Sequence, residues 1–140
     1  MPPTSPAIAN LEAAQQHAFA IRSKAGGFPV LAEVLRQAGV QTNVWDLPAA
    51  QSIFLTRLGP VVQPGTPLLS GLADIPAFDE SAVIRAIRAD QAGESTFPLF
   101  LQAIWQAGVI HYEVDFTTRT VTYSGLHAEH YLEPYPAVTV

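Results

Sequence analysis

Residues 28–46 read FPVLAEVLRQAGVQTNVWD, and residues 97–115 read FPLFLQAIWQAGVIHYEVD. Phe28-Pro29 and Gln37-Ala38-Gly39-Val40 return as Phe97-Pro98 and Gln106-Ala107-Gly108-Val109, and Asp46 returns as Asp115. The offset is constant at 69 residues, from 28 to 97, from 39 to 108 and from 46 to 115. Each copy predicts the same local events. Proline suits the first turn of a helix, where its missing N–H has no partner to lose. Leu31, Val34, Leu35 and Ala38 form one helical face in the first copy; Phe97, Phe100, Leu101 and Ile104 form it in the second. A glycine then stops the helix, and a valine-led run continues as a strand. Two copies are too few for a solenoid, so the echo points to a pseudo-duplicated helix-helix-strand-strand unit sharing one sheet.

The flanking sequence fits this pattern. Upstream, Ile8, Leu11, Ala14, Ala18 and Phe19 approximate a helical stripe, which Lys24 and Gly26-Gly27 close. Pro2, Pro3 and Pro6 mark residues 1–6 as a short tail. Val40–Asp46 and Gln51–Arg57 flank the four-residue loop Leu47–Ala50 as a hairpin, and Val61–Val62 carry a weaker strand signal. Residues 64–76 are rich in turn formers and connect the halves. Asp79 is a helix cap for Val83, Ile84 and Ile87; Ser95 or Thr96 caps the next helix. Asp90 to Ser95 between them do capping work, with Glu94 near a positive helix start. Val109–Asp115 and Arg119–Ser124 form a further hairpin, with a fainter strand at Glu129–Glu133. The expectation is a single α+β domain over residues 1–140. It has an antiparallel sheet of about five strands, with about four helices mainly on one face.

The chain has 140 residues, 49% hydrophobic and 14% charged, with no cysteine. A chain this apolar buries one core and offsets its ordering entropy. Disulfide scaffolds, thiolate zinc sites and cysteine nucleophiles are excluded. No apolar run approaches the roughly 18 residues of a membrane-spanning helix. Only 7 basic and 12 acidic side chains cover the surface, where an average domain of this length carries about 35. Either uncharged polar groups dress that surface, or a second subunit covers some of it, which makes a homodimer the expected partner. Residues 1–70 carry four basic and three acidic groups, while residues 71–140 carry three and nine. No basic footprint for nucleic acid is present. The N-terminal stretch reads as neither a secretory signal nor a membrane segment, so a cytoplasmic location is expected.

Pairing Val114 with Val121 sets Tyr112 opposite Tyr123 and gives an apolar face of Ile110, Tyr112, Val114, Val121 and Tyr123. The other face carries His111, Glu113, Asp115, Thr120, Thr122 and Ser124. His111, Glu113 and Asp115 project the same way, about 6.5–7 Å apart, a row fit for acid–base work or for a cation. A sheet with one solvated face alternates in this way without any function, and that plainer reading is favoured. The repeat aligns Asn43 and Trp45 with the apolar face of the second hairpin, where a buried amide beside an indole marks a ligand pocket. The plainer and favoured register turns Asn43 to water. His127 and His130, with His111 and Glu113, offer nitrogen and oxygen ligands. Their spacing falls in a turn or strand rather than along a helix, so no metal is expected. No nucleophile elbow, phosphate-cradling loop or dinucleotide fingerprint is present, and no catalytic residue or cofactor is assigned.

Gly27 to Glu33, Leu35 to Val40, Asp90 to Phe97 and Val114-Asp115-Phe116 with Arg119, Val121 and Tyr123 together resemble the domain-of-unknown-function 1398 family, the YbcV-like bacterial and prophage proteins. The resemblance spans about Gly26 to Val138. It implies a small α+β protein, sometimes labelled a phage envelope protein, with no established activity and no catalytic residues to carry over. The leading expectation is a non-enzymatic binding or protein-interaction module. The alternatives are a small-molecule-binding protein or small enzyme using His111, Glu113 and Asp115 or Asn43 and Trp45, and a phage-related structural component. Convergence of those groups on a cavity would favour the enzyme.

Overall fold

The computed structural model describes residues 4–22 and 26–140. Pro2, Pro3 and Lys24 lie outside the described residues. The elements run α1 Pro6–Ile21, α2 Phe28–Gln37, β1 Val40–Asp46, β2 Gln51–Thr56, β3 Gly59–Pro64, α3 Glu80–Gln91, α4 Phe97–Gln106, β4 His111–Asp115, β5 Thr120–Ser124 and β6 His130–Pro134. Residues between β3 and α3 form the irregular connection. Ser5, Asp79 and Thr96 cap α1, α3 and α4 by accepting the N–H groups of Ile8, Ala82 and Leu99. Pro6 therefore belongs to the helix rather than to a tail.

The α+β class and the four helices are as expected. The sheet has six strands instead of about five, antiparallel in the order β3-β2-β1-β4-β5-β6. The strands that the sequence signals only faintly are the two edges. Pro60 and Pro64 in β3 and Pro134 in β6 dilute the pattern, and proline is tolerated where one side of a strand lacks a ladder partner.

The 69-residue echo organises the whole molecule. Helices α2 and α4 are displaced by 69 at both ends, and Gly39 and Gly108 stop them with the same φ of 91°. In the hairpin turns Ala50 and Arg119 both take positive φ. Asp46 accepts the Ala49 N–H, and Asp115 accepts the Thr118 N–H. Leu47 N–H donates to Ile110 O, and Phe116 N–H donates to Gln41 O. Thr42 pairs with Leu55 as His111 pairs with Ser124. Strands β1 and β4 meet with Val44 opposite Glu113, themselves 69 apart, so a pseudo-two-fold axis passes between them. Only the outermost strands depart, because the β5–β6 turn is longer, and there the offset becomes 70.

The helices bury one face of the sheet. Phe54, Val61, Tyr112, Val114, Val121 and Tyr123 join Leu11, Ala18, Leu35, Val83, Phe100 and Ile104 in one core. The predicted register holds, with Tyr112 opposite Tyr123 and Val114 opposite Val121. Two details differ from the sequence expectation. The buried stripe of α1 is Ala7, Leu11, Ala14 and Ala18, while Ile8 and Phe19 face solvent; each lies one residue, about 100°, off that stripe. Asn43 pairs with Phe54 and Val114 and is buried on the inner face, not turned to water.

Candidate functional site

The opposite face of the sheet is uncovered. Its central cross-strand row runs Leu132, Thr122, Glu113, Val44, Ile53 and Val62 from β6 to β3. Ile53 is 41% exposed, Leu55 45%, Val62 55% and Leu132 50%. On β1, β2 and β3 the outward positions are Thr42, Val44, Asp46, Gln51, Ile53, Leu55, Pro60, Val62 and Pro64. Only Asp46, at one corner, ionises. On β4 and β5 they are His111, Glu113, Asp115, Thr120, Thr122 and Ser124, as the alternation predicts. One sheet face thus carries an apolar half and a polar, acidic half.

His111 and Glu113 are exposed. Asp115 is partly buried, and its Oδ1 accepts the N–H groups of Thr117 at 2.9 Å and Thr118 at 3.1 Å. That carboxylate holds the β4–β5 turn. The three groups lie along an open strand rather than around a cavity. Asn43 and Trp45 lie on the other side of the sheet. Asn43 donates through Nδ2 to Ile53 O at 3.3 Å. The Trp45 ring meets Phe97 edge-on at 5.3 Å and stacks on Tyr112 at 6.2 Å. The two sets of candidates therefore do not converge. Among the described residues, no three His, Asp or Glu side chains stand close enough to hold a metal ion.

Two buried carboxylates complete the electrostatics. Glu133 accepts from Arg88, from Gln91 and from the Tyr131 hydroxyl at 2.6 Å; the Arg88 hydrogen bond holds its pKa below the usual carboxylate range. Its repeat counterpart, Gln63, instead pairs with Gln15 at 2.9 Å. Glu33 accepts from Arg36 at 2.8 and 2.6 Å and from Gln37 at 2.9 Å. The hydrogen bond to Arg36 is the largest cause that pulls its pKa down to about 2. Burial pushes the Tyr112 and Tyr123 hydroxyls and the Asp90 carboxyl upward. The sequence reading missed both carboxylates. The i, i+3 spacing of Glu33 and Arg36 was a usable signal, whereas Arg88 and Glu133 are 45 residues apart and offered none.

No family model matches the chain. It is 53% identical over 131 residues to the uncharacterized protein Rv2012 of Mycobacterium tuberculosis (strain ATCC 25618 / H37Rv), covering 94% of this chain and 80% of that one. The uncharacterized proteins MT2067 of M. tuberculosis (strain CDC 1551 / Oshkosh) and Mb2035 of Mycobacterium bovis match to the same extent. The chain belongs to the same family as these proteins. A match over 131 of 140 residues spans both halves of the repeat.

Proposed function

We propose that this protein is a non-enzymatic binding module that meets a protein partner through the uncovered face of its sheet. One observation carries the reading. Three outward positions of β1 and β2 are apolar where the same backbone positions in the second half are polar: Val44, Ile53 and Leu55 against Glu113, Thr122 and Ser124. Contiguous exposed apolar surface on a flat platform serves association. The enzyme alternative loses support because His111, Glu113 and Asp115 flank no cavity and lie across the sheet from Asn43 and Trp45. In the same proposal the protein works in the cytoplasm; among the described residues no helix is long and apolar enough to cross a membrane. Kinship with the domain-of-unknown-function 1398 family also belongs to it, supported by the Ser95-Thr96-Phe97 helix start and the Val114-Asp115 hairpin.

Hydroxyl-radical footprinting of the full chain tests the reading, with dilute purified protein compared against a concentrated extract of producing cells. Leu55 and Val62 become protected in the extract, while Leu99 on α4 does not. Equal labelling of the sheet face under both conditions contradicts the module.

A further inference from the structure

We infer that a second copy of this chain docks on the β3-β2-β1 half of the uncovered face, about a two-fold axis running along β2. The inference rests on the reading above and names its partner.

The repeat supplies an internal control. Val44, Ile53 and Leu55 have the pairing geometry of Glu113, Thr122 and Ser124. Threonine suits a strand about as well as isoleucine does, so the architecture does not demand apolar side chains at these half-exposed sites. Their presence in one half only is a property of that surface.

Charge then selects the occupant. The whole chain carries a net charge of −5, and the second half of the face displays Glu113 and Asp115. Two copies meeting there would oppose like charges, which is costly. Across the first half only the corner Asp46 ionises, so two copies meet there without that repulsion. A cationic partner would choose the other half.

The patch is also self-complementary. Ile53 and Leu55 lie on the middle strand, β2. Val44 and Val62 flank Ile53, and Thr42 and Pro60 flank Leu55. A half-turn about β2 lays Ile53 on Ile53, Leu55 on Leu55, and Val44 on Val62 of the second copy, as an isologous interface requires. Aligned sheets pack about 10 Å apart with a crossing of about 30°, which tilts the axis only slightly from the strand. Three strands about 4.8 Å apart and six or seven residues long present about 300 Å² per copy. That is well under a standard interface, so the dimer is weak and reversible.

Sedimentation equilibrium of the full chain from about 10 µM to about 1 mM covers the range of a weak, transient contact. The wild type shifts from monomer to dimer across the range. Ile53→Lys stays monomeric at every concentration with an unchanged unfolding midpoint, and Glu113→Gln dimerises like the wild type. Should Ile53→Lys fail to fold, Leu55→Ser, which copies the Ser124 position, weakens the dimer at least tenfold. A wild type monomeric throughout overturns self-docking, while protection of the sheet face in cell extract would still uphold the module. A dimer indifferent to both substitutions places the contact elsewhere and also overturns it.

Discussion

Val44 and Glu113 stand opposite each other on the two central strands, and each occupies the other's place in the repeat. The molecule is thus built on one backbone plan used twice, with different side chains mounted on it. Each half therefore predicts which residues the other tolerates.

On β2 the two faces separate cleanly. Ile53 is 41% exposed and its neighbour Phe54 5%. Ile53→Thr, which installs the residue of the Thr122 position, changes unfolding free energy by no more than about 0.5 kcal/mol. Phe54→Ala, which empties the core beside Asn43, costs about 3–5 kcal/mol. Urea unfolding monitored by circular dichroism measures both.

The two helix-stopping glycines differ in what surrounds them. At Gly39 an added Cβ meets the Arg57 side chain, with Nε at 2.5 Å, which can swing away. At Gly108 it meets Ala77 O and Phe78 Cα, both at 2.5 Å, which are backbone. Gly39→Ala costs about 1–2 kcal/mol for the strained φ. Gly108→Ala costs about 3 kcal/mol or more, because the β4 entry must also move. Paired thermal melts rank them.

Glu133 is held by Arg88, whereas its counterpart Gln63 meets the neutral Gln15, from a different position on its helix. Arg88→Met leaves a buried carboxylate short of its main partner. The loss is about 1–2 kcal/mol, moderated because half of the Arg88 side chain is in water. The double variant Arg88→Met with Glu133→Gln removes the buried charge and recovers at least half of that loss. A double-mutant cycle in urea reads the coupling.

Glu33 governs acid stability. Its pKa is lowered from 4.5 to about 2 in the folded chain. Its contribution is fully present above about pH 4.5 and is lost as the pH falls toward 2. The largely exposed Arg36 guanidinium lets solvent screen the pair, so the contribution is about 1 kcal/mol. Glu33→Gln is less stable than the wild type at pH 6, and the gap closes as the pH approaches 2. Unfolding curves at stepped pH follow it.

Much of this was readable in the chain because its signals are local. Pro29 and Pro98 open helices, Gly39 and Gly108 close them, and the alternation from His111 to Asp115 assigns the faces of β4. The edges were harder, because Pro60, Pro64 and Pro134 interrupt the alternation that identifies strands. For Asn43 the favoured register turns the side chain to water, while the repeat alignment with Tyr112 gives the buried side that the fold has. Its burial depends on the β1–β4 pairing, and Asn43 and Val114 are far apart in sequence. The apolar outer face is no more legible from the sequence. Val44, Ile53 and Val62 each look like ordinary strand residues, and only the pairing of β1, β2 and β3 gathers them into one row.

The chain has no cysteine, so a single introduced thiol reports its own surroundings. Ile53 lies on the proposed two-fold axis, next to its copy, whereas the counterpart Thr122 lies well away from it. Treated with a bis-maleimide of about 8 Å reach, which spans facing sheets about 10 Å apart where a direct disulfide cannot, Ile53→Cys forms a cross-linked dimer at least tenfold faster than Thr122→Cys, as denaturing electrophoresis would show. Equal rates for the two, or no dimer from Ile53→Cys, would contradict docking through this face.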